Sequence, residues 1–153
     1  MKIINYKNIL LETSVAAITS DGYIDESEIK ALKNIEKNSP YFSSEDLSDD
    51  LEKLLKKCSL DIVEFQKSVF KKIINADLNL LQELTLLEIS LRIISADNKE
   101  EKVEKEFIVN LRKCLKISDL LIFQRFGKIE YLGILDFEQN FTDFVDPDQL
   151  DTN

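Results

Sequence analysis

The 153-residue sequence contains no histidine and no tryptophan, and only three glycines, two prolines and two cysteines. Without histidine, Ser-His-Asp and Cys-His catalysis, histidine metal ligation and histidine proton transfer near neutral pH are all excluded. Scarce glycine and proline, together with abundant leucine, isoleucine, lysine and glutamate, favour helices joined by short connections over a turn-rich sheet protein. The sequence therefore predicts an all-α fold, and its length is the usual size of one domain.

Other features that the sequence lacks bear on the compartment. Cys58 and Cys114 form no CxxC pair and have no histidine to join them as metal ligands, so we interpret them as reduced thiols, with a disulfide as the alternative. No apolar run approaches the ~20 residues that a membrane span requires. Asparagines interrupt the amino-terminal stretch MKIINYKNILLETS, where a secretory signal needs an unbroken apolar core. The expected location is cytoplasmic.

The charge is strongly one-sided, because the sequence contains 29 acidic and 20 basic residues and therefore has a formal net charge of −9. Such a field repels phosphate backbones and anionic lipid headgroups and attracts cations and basic protein surfaces. We therefore expect a protein partner and no nucleic acid.

Apolar spacing predicts about seven helices. The most distinctive is the stretch 77–96, which is apolar on nearly every side and is expected at the centre of a bundle. Ser59 or Asp61 is expected to open the fourth helix, and Ser118 to cap a seventh that ends before Gly127. The positions expected to face the core of the fourth and sixth helices are Ile62, Phe65, Val69, Phe70, Ile73, Ile74, Val103, Phe107, Ile108 and Leu111.

An internal repeat relates residues 10–37 to residues 86–113 at a constant offset of 76, with nine identities in 28 positions. The pairs include Asp21 with Asp97 and Glu28 with Glu104. Two helical hairpins of this kind can pack as the halves of one bundle, which would bring their Asp-plus-Glu turns into related positions.

Two stretches carry a family resemblance, AAITSDGYIDESEIKAL (16–32) and LRIISADNKEEKVEKEFIVNLRKCLKIS (91–118). On these residues the chain resembles the TerB family, named for bacterial tellurite-resistance operons, over roughly residues 10–127. Asn98 and Glu100 depart from the family pattern, which has a glycine and an apolar residue there. The resemblance implies a single compact bundle of about seven helices with pseudo-twofold halves. It also implies no enzymatic activity, divalent-cation affinity at the acidic turns, and a role as interaction partner in a stress-response assembly.

The acidic turns allow two interpretations. A hard cation such as calcium prefers several oxygen ligands, and the candidates are Glu12, Asp21, Asp25, Glu28, Glu88, Asp97, Glu101 and Glu104. A true EF-hand loop is not expected, because its first ligand would be Ala17. In the purely structural interpretation, Asp25 and Glu28 form a capping box and Glu88 pairs with Arg92. Acidic side chains in the first turn of a helix are stabilised by the helix dipole. Cation binding requires the two turns to converge, and no cofactor is otherwise required.

The last part of the chain differs in composition from the rest. We predict a domain over 1–127 and an acidic extension over 128–153 that is partly packed and mobile at its end. Beyond residue 129 there is no lysine or arginine, and apolar side chains alternate with acids. The candidate partner-binding residues are Tyr131, Asp136, Phe137, Glu138, Phe141, Asp143 and Phe144.

Two functions fit these observations. The first is a non-enzymatic TerB-like interaction module of the stress or tellurite-resistance type, which binds a partner protein and a divalent cation. The second is an immunity protein or antitoxin whose acidic surface neutralises a basic, nuclease-like toxin. An enzyme is not expected, because the carboxylates lie in solvated turns beside lysines.

Overall fold

A computed structural model describes residues 6–22, 24–38, 48–96 and 102–134 of the chain. Its α-helices are α1 (Tyr6–Ile18), α2 (Glu26–Asn38), α3 (Ser48–Leu60), α4 (Ile62–Ala76), α5 (Leu80–Ile94), α6 (Lys102–Lys113) and α7 (Asp119–Phe126), and one 3₁₀ turn covers Glu130–Leu132. Across these described ranges there is no β-strand, and the one β pairing is an isolated bridge between Ile129 and Ile134. The predicted all-α fold of about seven helices is confirmed.

Backbone contacts divide the chain into two compact units, the first ending at Lys116 and the second beginning at Ile117. The first unit contains α1 to α6, and the second contains α7 and the 3₁₀ turn. The division that we predicted after residue 127 stays a prediction, because most of the extension lies outside the described residues.

Helix α5 is a centre of the first unit, because it packs against α1, α2 and α6. Its side chains Leu87, Ile93 and Ile94 are fully buried. The prediction of an enclosed helix is wrong only for its first turn, where Leu80 and Leu81 are 56% and 62% exposed. The apolar pattern of the sequence alone could not show that the side chains of this turn are exposed.

Helix α1 is the second central element, and it packs against α2, α3, α4 and α5. Three of its fully buried side chains, Ser14, Ala16 and Ala17, are small, and small side chains let neighbouring helices approach closely. The Ser14 hydroxyl donates to the Leu10 carbonyl at 2.7 Å, so this polar group is satisfied within its own helix. The apolar stripe in the sequence gave no sign that α1 is enclosed on so many sides.

Ser90 on α5 is the repeat mate of Ser14, but its hydroxyl lacks the hydrogen bond that Ser14 makes. Its side chain is fully buried, and its Oγ has no hydrogen-bond partner among the described residues. An unsatisfied buried hydroxyl costs about 1–3 kcal/mol, so we expect Ser90→Ala to raise the free energy of unfolding by about 1 kcal/mol. Urea unfolding measures this, with Ser14→Ala as the matched control that is not expected to be stabilising. A destabilised Ser90→Ala protein would contradict the prediction.

The predicted helix caps form at two helix starts. The Asp61 carboxylate accepts the Glu64 backbone N–H at 3.1 Å at the start of α4, and the Ser118 hydroxyl accepts the Leu121 N–H at 3.2 Å at the start of α7. Gly127 follows α7 with φ of +80°, a backbone conformation that residues with a Cβ rarely adopt. Local sequence therefore sets these helix ends.

Both cysteines are free thiols, as the sequence predicted. Cys58 is fully buried, and its Sγ lies 3.1 Å from Oγ1 of Thr19. Burial raises the pKa of the Cys58 thiol, which the Thr19 contact only partly offsets, and burial also raises the pKa of the half-buried Cys114. Both groups are therefore weak nucleophiles near neutral pH.

Helix α4 packs against α1 and α3, and Phe65, Val69 and Ile73 are its buried apolar side chains. Ile74 lies next to Ile73 in sequence but is 61% exposed, so its predicted inward position is wrong. The same prediction is wrong for Val103 on α6, which is 46% exposed. Ile74 belongs instead to an outward apolar stripe.

Candidate metal centre

Three of the predicted ligands converge in the first unit. Asp21 lies in the turn after α1, while Glu28 and Glu104 are each the third residue of a helix, α2 and α6 respectively. One carboxylate oxygen from each residue lies within 4.8 Å of the other two. The convergence that cation binding requires therefore occurs, and it joins Glu28 to its repeat mate Glu104.

The local sequence explains how Asp21 reaches this position. Helix α1 ends at Ile18, and the Gly22 N–H donates to the Thr19 carbonyl at 2.9 Å, which closes a turn around Asp21. Gly22 has φ of +86°, which a residue with a side chain adopts only with strain. The Ser20-Asp21-Gly22 stretch thus forms the turn that places Asp21 between the end of α1 and the start of α2.

Helix packing on α5 brings the other two carboxylates together. Both α2 and α6 pack against α5. The matching offset extends to helix bounds, since α2 begins at Glu26 and α6 at Lys102, 76 residues later. Superposition of the two hairpins themselves stays a prediction.

Two of the three carboxylates are buried, so the expectation that the acids of these turns are solvated is wrong for Glu28 and Glu104. Glu28 is 0% and Glu104 1% exposed, whereas Asp21 is partly exposed. Two full negative charges about 5 Å apart repel by about 3 kcal/mol at an effective dielectric constant of about 20. The amino-terminal ends of α2 and α6 offset part of this repulsion through their dipoles, typically by about 0.3–1 kcal/mol per carboxylate. A bound divalent cation would neutralise far more of the charge than the dipoles do.

The predicted capping box does not explain the position of Glu28. The Asp25 carboxylate accepts the Ser27 backbone N–H at 2.8 Å and also binds the Ser27 hydroxyl, so Asp25 caps α2. Within the described residues, neither carboxylate oxygen of Glu28 accepts the Asp25 N–H that would complete the box. The carboxylate of Glu28 lies instead with Asp21 and Glu104.

The structure places the other predicted ligands in different roles. Glu12 binds Nζ of Lys72 on α4 through both carboxylate oxygens, at 2.7 and 3.1 Å. Glu88 pairs with Arg92 at 3.6 Å, which is the i,i+4 pair of the structural interpretation. Neither residue belongs to the carboxylate group that the described residues form. No local signal in the sequence identifies Lys72 as the partner of Glu12, because the two are 60 residues apart.

Glu12→Gln tests directly whether Glu12 is a cation ligand. Because the Glu12 side chain is only 12% exposed and its carboxylate is bound to Lys72, we expect the free energy of unfolding to fall by about 0.5–1 kcal/mol. We expect the response of the melting temperature to calcium to stay unchanged, since Glu12 lies outside the cluster. A double-mutant cycle with Lys72→Met measures the interaction energy of the Glu12–Lys72 pair. Loss of the calcium response in Glu12→Gln would show that Glu12 is a cation ligand after all.

Several predicted residues cannot be placed. Asp97 and Glu101 lie outside the described residues, as do six of the seven candidate partner-binding residues, Asp136, Phe137, Glu138, Phe141, Asp143 and Phe144. Tyr131, the seventh, is half-buried in the 3₁₀ turn of the second unit.

The three carboxylates form an all-oxygen donor set, which suits a hard cation. Calcium binds oxygens at about 2.3–2.6 Å in flexible geometry, whereas magnesium needs about 2.0–2.1 Å and near-ideal octahedral geometry. The three oxygens lie within 4.8 Å of one another, a limit that both ions satisfy. Water or backbone oxygens would complete the coordination of either ion. The site is not an EF-hand, because Ala17 is buried inside α1.

Comparisons with protein-family models, curated proteins and solved structures found no match. The TerB-like assignment therefore stays a prediction from sequence. Among the helices that the structure describes, none combines the length and the apolarity that crossing a membrane needs.

Proposed function

We propose that this chain is a non-enzymatic, TerB-like helical module that binds a divalent cation such as calcium and contacts a partner protein in a bacterial stress-response assembly. The observation that carries the proposal is the convergence of Asp21, Glu28 and Glu104 from three separate elements. Glu28 and Glu104 occupy equivalent positions of the sequence repeat. Such a pairing follows directly if both halves of the repeat supply one ligand to a shared ion.

The chemistry of the cluster suits a cation. Bringing two buried carboxylates together costs free energy that a cation between them would offset. Glu28 does not complete the capping box at the start of α2, so the predicted structural role does not account for its position. A cation held between α2 and α6 would also tie together two helices that both pack on α5.

Isothermal titration calorimetry of the full chain, stripped of metal with EDTA, tests the proposal. We expect one calcium ion per chain and loss of the binding heat in the double variant Glu28→Gln/Glu104→Gln. Magnesium serves as the competing ion and should bind more weakly because of its stricter geometry. Absence of calcium binding up to millimolar concentration would overturn the cation part of the proposal.

The immunity-protein alternative depends on the acidic extension, and nothing in the described residues favours it. Neighbouring genes discriminate between the two functions, because a toxin gene favours the alternative and stress-operon genes favour the module.

A further inference from the structure

The outward face of α4 carries apolar side chains that the described residues cover only in part. Val63, Lys67, Phe70 and Ile74 follow one another at spacings of four, three and four residues, the spacing by which one helix packs against another. Val63 and Ile74 are 62% and 61% exposed, and Phe70 is half-buried against Phe107 of α6 with ring centroids 5.6 Å apart. The stripe spans about three helical turns, or roughly 16 Å.

Val63, Lys67 and Ile74 lie away from the packing face of the same helix, whereas Phe70 lies at its edge. At about 100° per residue, the buried side chains of Phe65 and Val69 project to a different side of the helix from Val63 and Ile74. A surface helix needs only one apolar stripe to pack on its own fold, so the exposed Val63 and Ile74 are available to a second element.

The charges on this face restrict the occupant. Lys67 lies within the apolar stripe and Lys71 beside it, and both are exposed. Although the chain has a net charge of −9, the charged side chains within and beside the row from Val63 to Ile74 include these two lysines, which favour an acidic partner over a basic one. A symmetric contact with a second copy would bring the same lysines of both copies together, which is unfavourable.

We infer that the outward stripe of α4, formed by Val63, Lys67, Phe70 and Ile74, is the docking site for an acidic amphipathic helix of a partner protein. The apolar side chains of that helix would cover Val63 and Ile74, and its carboxylates would meet Lys67 and Lys71. This inference rests on the partner-binding part of the proposed function and names the chemistry of the partner. It does not depend on the cation site, so the two can fail separately.

The test uses two labelled helical peptides of about 20 residues, with leucines at the four-three-four spacing and either glutamates or lysines at all other positions. Fluorescence anisotropy with the full chain measures binding, in EDTA and again in calcium. We expect the glutamate peptide to bind with a Kd on the order of tens of micromolar and the lysine peptide to bind at least about tenfold more weakly. Absence of binding by either peptide, or equal binding by both, would overturn the inference.

Two double variants locate the binding site. We expect each double variant to bind the glutamate peptide about tenfold or more weakly than the wild type does. The variants are Val63→Ser/Ile74→Ser and Lys67→Glu/Lys71→Glu, and the second should bind the lysine peptide more tightly than the wild type does. All four positions are exposed, so circular dichroism should show an unchanged fold.

The matched control is Leu80→Ser/Leu81→Ser, which removes two equally exposed apolar side chains from α5 and should leave binding unchanged. Sedimentation tests whether a second copy of the chain occupies this face, and vesicle binding tests whether a membrane does. A dimer of the unliganded chain, or binding to phosphatidylserine vesicles, that is lost in Val63→Ser/Ile74→Ser would assign the face to a second copy or to a membrane and overturn the inference. Peptide binding that survives Glu28→Gln/Glu104→Gln would confirm that this face works independently of the cation cluster.

Discussion

Calcium is expected to raise the melting temperature of the wild-type protein by roughly 5–10 °C, and the variant Glu28→Gln/Glu104→Gln is expected to lose this shift. At a free concentration about 100 times its Kd, a ligand that binds only the folded state contributes about 2.7 kcal/mol of stability. For a domain of this size, each kcal/mol corresponds to about 2–4 °C. Thermal unfolding in EDTA and across a calcium series measures the shift.

A matched control separates the site from the general effect of calcium on an acidic protein. Glu88→Gln removes one carboxylate from α5, but this carboxylate pairs with Arg92 and lies outside the cluster. It should keep the full calcium shift. An unchanged melting temperature of the wild type from micromolar to millimolar calcium, or an equal loss of the shift in Glu88→Gln, would refute a specific site at Asp21, Glu28 and Glu104.

The dependence of the Glu28→Gln effect on calcium distinguishes the two interpretations of the cluster. In EDTA, the substitution keeps the side-chain shape and relieves repulsion within the cluster, which offsets part of its cost, so we expect the free energy of unfolding to change by no more than about 1 kcal/mol. In saturating calcium we expect the variant to be less stable than the wild type by at least about 2 kcal/mol, because it loses a ligand. If Glu28 served only the helix dipole, the substitution would destabilise the protein slightly under both conditions.

Local sequence signals predicted the parts of the fold that depend on neighbouring residues. Ser118 caps α7 as expected, and of the two candidates for the start of α4, Ser59 and Asp61, it is Asp61 that caps the helix, because its side-chain oxygen lies three residues before the N–H that it accepts. The buried turns of α5 follow from an apolar composition on all sides. The three clustered carboxylates were among the eight predicted ligands, because the repeat marks the same turn twice.

What the sequence could not predict depends on packing between distant elements. The meeting of Glu28 and Glu104 requires α2 and α6 to pack on the same helix, and no local pattern encodes that arrangement. Glu12 was an equally good candidate until its partner Lys72 was known. Ile74 was expected inside because periodicity finds an apolar stripe without showing whether the fold covers it.

Leu87→Ala, at the centre of α5, is expected to lower the free energy of unfolding more than any of the other substitutions above. Leu87 is fully buried in the helix on which α1, α2 and α6 pack. Replacing a buried leucine by alanine costs about 2–5 kcal/mol through lost burial and the cavity that remains. We expect a loss of about 3 kcal/mol in urea unfolding, a large part of the roughly 5–15 kcal/mol that stabilises a typical domain.

Leu81→Ala is the matched control for Leu87→Ala, because it makes the same change in the same helix at a position that is 62% exposed. Its expected cost is at most about 0.5 kcal/mol. The comparison also bears on the metal centre, since α5 is the element that brings α2 and α6 together. At a temperature where both variants remain folded, Leu87→Ala should weaken calcium binding and Leu81→Ala should not. Equal stability losses in the two variants would show that burial of α5 does not stabilise the first unit. They would also contradict the role of α5 in bringing Glu28 to Glu104.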